Sequence, residues 1–262
     1  MNIDKDIDKL LRSIKLFNDK VIVFQTDTIT TSIFYNIPPL IIAKKFLEKI
    51  EKFFKTRTIL FPAFSNDIIT KKKFDNKNFH IYTGIIPKLA LKSNKYYKTF
   101  SYLHGFLVKG NLIKEIKNNK QETTWGKGSV FEWLEKKNAR WVAINLNWNR
   151  GCAFAHRSEE LCKVPYRFYK VFSGKLYKNK KFISKISEKK YSNFRGININ
   201  FNDEPIFKIL EKYSKNFFIN RGIFAKSALT KDITKVFCEQ LNKEILSRVK
   251  NKAYVKSKLK DL

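Results

Sequence analysis

Apolar residues recur near helical spacing in the opening segment, where Ile7, Leu10, Leu11 and Ile14 fall within residues 4–17, so the chain is read as starting with an amphipathic helix. A short apolar run rich in β-branched residues follows at 21–25 (VIVFQ) and predicts a buried strand, with TDTITTS as the loop behind it. Pro38 and Pro39 then introduce a helix over 40–54 that turns Ile41, Phe46, Leu47, Ile50 and Phe53 inward. A second apolar strand at 58–61 (TILF) is expected to stop at Pro62. A helix between two apolar strands marks a βαβ unit, and the chain is read as α/β.

Further along, the Lys-rich stretch 66–79 predicts a solvated loop, 83–91 a short helix begun at Thr83 or Gly84, and 101–108 a strand. Gly126, Lys127 and Gly128 lead into Ser129, a suitable N-cap for a helix over VFEWLEKK, and 141–146 (WVAINL) is a third buried strand. Residues 164–181 alternate enough for a strand or a hairpin turning near Ser173 and Gly174. Residues 230–250 form an amphipathic helix bearing Val236, Phe237, Leu241, Ile245 and Leu246. Nine Gly and six Pro, spread along 262 residues, mark no linker, so 1–262 is taken as a single domain.

Composition changes the picture mainly through charge. Lys plus Arg number 54 against 23 Asp plus Glu, a formal net charge of +31, which favours nucleic acid, an anionic membrane face or a phosphate-rich ligand as partner. The lysines are dispersed, with modest clusters at Lys71–Lys73 and around Lys178–Lys181, and no zinc-finger, RNA-binding or basic-zipper pattern gathers them, which argues against nucleic acid. A lysine-rich chain also abundant in Ile, Asn and Phe is what an AT-rich genome writes into any protein. Three cysteines without paired spacing imply neither a disulfide framework nor a metal site, and fit a reducing cytoplasm. The N-terminal residues lack the apolar core of a signal peptide, and nowhere do about 18 apolar residues run together.

The three histidines can be weighed in turn as carriers of a proton near neutral pH. His156 has the best setting, because it follows the third buried strand and has Glu159 and Glu160 three and four residues on, where either carboxylate would share a helical face with the imidazole. Sites in open α/β sheets collect beyond the carboxyl ends of strands, which is where this pair falls. His104 could point into a site or merely face solvent, and His80 lies beside a lysine-rich loop. No G-x-S-x-G elbow occurs, and Cys152 reads as a small packing residue rather than an attacking thiolate.

Several segments taken in order carry a resemblance: KVIVFQTDT, TILFPAFS, ETTWGKGSVFEWL and above all HRSEELCKVPYRFYKVFSG. Over roughly residues 5–176 the chain resembles the aminoglycoside 3-N-acetyltransferase family, including relatives associated with surface-polysaccharide synthesis. The resemblance implies a mixed central sheet flanked by helices, acetyl-coenzyme A as acetyl donor and direct transfer to an amine. His156 would be the general base and Glu159 its orienting partner. Coenzyme contacts would fall on Gln25, Thr26 and Asp27, on Lys98 and Thr99, and on Gly126 to Ser129. The chain departs from the family in KTFSYLHGFLVKG, with Lys98 for an Arg, Ser101 for a His or Asp, Tyr102 for a Pro and Gly105 for a Ser, and in Ala153 where a Thr is usual. Because aminoglycosides are polycations and the chain is strongly positive, the expected acceptor is an amino sugar of a surface-polysaccharide precursor, either a small molecule or lipid-linked, with peripheral contact to an anionic membrane left open. Two alternatives are an aminoglycoside-modifying resistance enzyme and a non-catalytic binder of polyanions.

Overall fold

The structure is a computed structural model that describes residues 2–261. Ten strands form among them: β1 (Val21–Thr26), β2 (Thr58–Phe64), β3 (Lys73–Asp75), β4 (Tyr97–Lys98), β5 (His104–Lys109), β6 (Arg140–Ile144), β7 (Arg167–Lys178), β8 (Lys181–Asn193), β9 (Lys215–Asn220) and β10 (Ile223–Leu229). Seven make a mixed sheet in the order β4-β5-β2-β1-β6-β10-β9, and β3, β7 and β8 make a second sheet. β1 lies at the centre, parallel to β2 on one side and to β6 on the other. The chain order therefore reverses at β1, which opens a crevice at the carboxyl ends of β1 and β6.

Alternation along β1 divides the core between two faces. Ile22 and Phe24 join Ile7, Leu11, Phe46 and Ile50, from helices Ile3–Lys15 and Pro39–Phe53, on one side. Val21 and Val23 join Trp141, Phe131, Phe154 and Phe237 on the other, under helices Val130–Lys136, Phe154–Leu161 and Thr230–Lys243. A strand covered on both faces has to be apolar at consecutive positions, and VIVF supplies four. The expected α/β architecture, with a mixed central sheet flanked by helices, is the one observed.

Several local expectations are corrected. β2 continues through Pro62 to Phe64, because its pairing with β1 ends at Leu60 and the missing N–H of Pro62 falls beyond that ladder. The stretch 66–79 is not a solvated loop: it contains helix Asp67–Thr70 and β3, and it buries Phe74 and Phe79. The loop after β1 winds into helix Ile29–Tyr35. The hairpin turns at Asn179 and Lys180, both in the left-handed region, rather than at Ser173 and Gly174, which pair with Ser187 and Ile186 inside the ladder. The strand placed at 101–108 begins only at His104, and the last long helix stops at Lys243.

Candidate active site

At the end of β6 the chain must turn sharply, and Asn145 makes the turn with φ of 54°. Its amide donates to Asp27 O, Thr31 Oγ1 and Gly222 O, and its Oδ1 accepts from Phe224 N at 3.0 Å, so one buried side chain joins β1, β6 and β10 at their ends. Beyond it, helix Phe154–Leu161 brings His156 to the crevice. Gly84, with φ of 116°, starts helix Ile85–Lys92 on the opposite wall. Between these elements lies a cavity of about 520 Å³, with Gln25, Thr26, Asp27, His104, Trp125 and His156 among its lining residues.

His156 Nδ1 stands 3.0 Å from Glu159 Oε2, the one-turn pairing that their spacing predicted. Glu159 is fully buried and is held by three further groups. Arg167 Nη2 lies 2.8 Å from Oε2, Arg248 Nη1 lies 2.6 Å from Oε1, and Tyr166 OH donates to Oε1 at 3.0 Å. Arg248 approaches Oε1 as a close charge contact without hydrogen-bond alignment, while its Nε and Nη2 donate to Asp203 at 2.7 and 2.8 Å. Two carboxylates thus meet two guanidiniums, the pairing that buried charges require. Burial raises the Glu159 pKa, but Arg248 and Arg167 overcome it and hold the carboxyl down to about 2.

The His156 imidazole is pushed down to about 4, first by desolvation and then by Arg167 and Arg248, against the pull of Glu159. Its side chain still shows 38% of its surface to the cavity, so water reaches the ring and desolvation becomes complete only when a ligand fills the space. Arg167 Nη2 also comes within 3.1 Å of Nδ1. A guanidinium has only donors, so Nδ1 faces a donor in Arg167 and an acceptor in Glu159 at once, and Nε2 carries the free lone pair in the tautomer whose Nδ1–H bonds Glu159.

Trp125 separates this group from a second histidine, with ring centroids 5.1 Å from His156 and 4.1 Å from His104. His104 is buried and held neutral, well below its ordinary pKa, by desolvation, Lys190 and His156. Its Nδ1 and the Trp125 Nε1–H are both without partners, as are Gln25 Oε1 and Thr26 Oγ1. Four buried polar atoms without partners thus belong to residues that line one cavity. Cys152 also lines the cavity, and burial pushes its thiol up to about 12, which keeps it protonated and unsuited to attack.

The remaining residues that the sequence singled out are separated by the fold. Gln25, Thr26 and Asp27 line the cavity. Lys98 does not: its Nζ donates to Thr99 O and Ser101 O at 2.9 Å and lies over the rings of Phe74, Phe79 and Tyr102. Thr99 Oγ1 accepts from Phe106 N, and Ser129 caps its helix by accepting from Glu132 N. Gly126 sits where a Cβ would meet Glu160 Oε1 at 2.4 Å. Glu160 itself turns away from His156 and accepts from Thr123 Oγ1 at 2.6 Å.

The altered segment KTFSYLHG proves to be a closed loop around buried Glu188, which accepts from Ser101 Oγ, Tyr102 N, Leu103 N and Thr124 Oγ1. Glu188, Arg248 and Asp203 escaped the sequence reading because nothing near them in the chain signals the site. Arg167 was visible within VPYR but had no assigned role.

A family model described as aminoglycoside 3-N-acetyltransferase matches residues 53–227, a span that takes in His156, Glu159 and Arg167. The chain belongs to that family. Membership makes it an acyltransferase by lineage, in accord with the resemblance that the motifs carried. No curated protein matches the sequence. Solved structures, aminoglycoside acetyltransferases among them, show the same fold at low identity. AAC(3)-IIb is 11% identical, with a TM-score of 0.73, over 93% of this chain and 98% of its own. AAC-IIIb, solved as a binary complex with CoASH, is 12% identical with a TM-score of 0.71 over 92% and 97%. YokD from Bacillus subtilis is 12% identical with a TM-score of 0.69 over 91% and 98%.

Proposed function

We propose that the chain is an acetyl-coenzyme A-dependent N-acetyltransferase acting on an amino sugar of low positive charge, such as a surface-polysaccharide precursor, with His156 as general base. The observation that carries this reading is the His156 ring, which lines the cavity and meets at Nδ1 a buried carboxylate that two arginines keep ionised. Nε2 takes a proton from the acceptor amine as its nitrogen attacks the thioester carbonyl; the C–N bond forms, the C–S bond breaks, and the same proton passes to the leaving thiolate. Imidazole with a depressed pKa is fully neutral at pH 7, so no base is lost to protonation beforehand. The cavity suits the acetyl end of the donor together with a sugar ring, and its lining residues Gln25, Thr26 and Asn149 supply polar side chains for amide or hydroxyl groups. The basic surface favours the phosphates outside.

The acceptor preference rests on the lining, where Asp27 is the one carboxylate and Arg150 a balancing cation. A polycationic drug meets no acidic cluster there. We also read the chain as one domain, because β10 near the C-terminus pairs with β6 beside β1 in a single sheet. Release of thiol from acetyl-coenzyme A should be measured with nucleotide-linked amino sugars and with aminoglycosides. Turnover of the former well above the latter is expected; efficient acetylation of aminoglycosides would replace this reading with a resistance role.

A further inference from the structure

From Thr28 to Ala43 the chain carries no Asp, Glu, Lys or Arg, although 29% of all residues are charged. This run forms helix Ile29–Tyr35 and the first turn of helix Pro39–Phe53, which pack against each other. The first of these helices is amphipathic in the reverse sense. Its polar Thr31 is fully buried and donates to Gly222 O at 2.9 Å, while Ile29 and Ile33, one turn apart, are 58% and 77% exposed. Tyr35 anchors the inner side through Asp6, so the outward isoleucines do not reflect a loosely held helix. Leu40 and Ile41 add to the exposed set, although the periodicity of the sequence had turned Ile41 inward. Ile29 lines the cavity, and exposed Tyr82 lines it as well, so the apolar surface adjoins the mouth of the site.

We infer that this apolar rim seats the mouth of the cavity on an anionic lipid bilayer. The rim is neutral and can enter the headgroup layer without desolvating a charge, while a net charge of +31 supplies the long-range attraction. Together they give the two signals that stable peripheral attachment requires. A second copy of the chain is the poorer occupant, because it would bring the same large positive charge against the first. No helix among the described residues is long and apolar enough to cross a membrane, so the contact is a docking and not a span. An amine displayed in the headgroup layer would then reach His156 directly; that consequence rests on the transferase reading, whereas the docking does not.

The test is co-sedimentation of the full chain, at physiological ionic strength, with vesicles of phosphatidylcholine alone or mixed with phosphatidylglycerol, comparing wild type with Ile33→Glu/Leu40→Glu. Binding of wild type to the mixed vesicles only, weakened at least about tenfold in the double variant, is expected from loss of two inserted aliphatic side chains. A second variant, Ile33→Trp, should shift its emission to the blue on the mixed vesicles. Undiminished binding by the double variant, no binding by wild type, an unshifted tryptophan, or self-association in light scattering that the double variant abolishes would each overturn the proposal. Coenzyme A binding measured in parallel separates this outcome from the transferase reading, whose failure would show there and leave vesicle binding untouched.

Discussion

The two histidines that flank Trp125 face one cavity yet live in opposite surroundings. His156 is backed by an ionised network of Glu159, Arg167, Arg248 and Asp203, whereas His104 is a buried neutral ring whose Nδ1 has no partner. Both have lowered pKa values, but only His156 has a carboxylate beside it, which would balance the positive charge that the proposed base role brings to the ring. A shifted pKa therefore does not by itself mark the base; the partner does.

The contrast is sharpest in substitution. His156→Ala should lower kcat/KM by about 10²–10⁴-fold, the usual cost of losing a general base. His104→Phe removes an orphaned polar atom from an aromatic setting, and its effect on stability should stay below about 1.5 kcal/mol by thermal melting. A large loss of activity in His104→Phe would break the comparison by giving that ring a catalytic task. Glu159→Ala leaves Arg167 and Arg248 facing each other in a buried site, and denaturant unfolding should register a loss of about 3–5 kcal/mol.

Acidity should separate the two sides in order. The unfolded chain binds protons at its histidines as pH falls below 6.5, while folded His156 resists protonation until about 4, so stability present above 6.5 drains away between these values. Glu159, held at about 2 against an ordinary 4.5, contributes a second loss between 4.5 and 2. Melting temperatures from pH 8 to pH 3 should fall in these two windows, and His156→Ala should shrink the first while leaving the part that His104 contributes. Gly84→Ala, which places a side chain at φ of 116° on the opposite wall, should cost about 1–3 kcal/mol without touching the network.

How much of this was legible in the sequence follows the range of the interactions. β1, β6 and the helices announce themselves through local periodicity, and the His156–Glu159 pair through a one-turn spacing. Arg248 reaches Glu159 across 89 positions of chain, and Asp203 holds Arg248 across 45, through tertiary packing alone, and no local pattern records that. The hairpin turn was misplaced because Ser-Gly is a stronger turn signal than Asn-Lys, while the register with β8 was set by the pairing of the whole strand. Phe74 was lost within a lysine-rich stretch because its burial depends on β7 arriving from far along the chain.

The measurement that bears most directly on the central claim is acetyl transfer by His156→Ala, with and without added imidazole, in protein shown to bind coenzyme A. The account predicts a turnover largely lost and partly restored by imidazole entering the vacated part of the cavity. A variant that binds coenzyme A and turns over at the wild-type rate would contradict it.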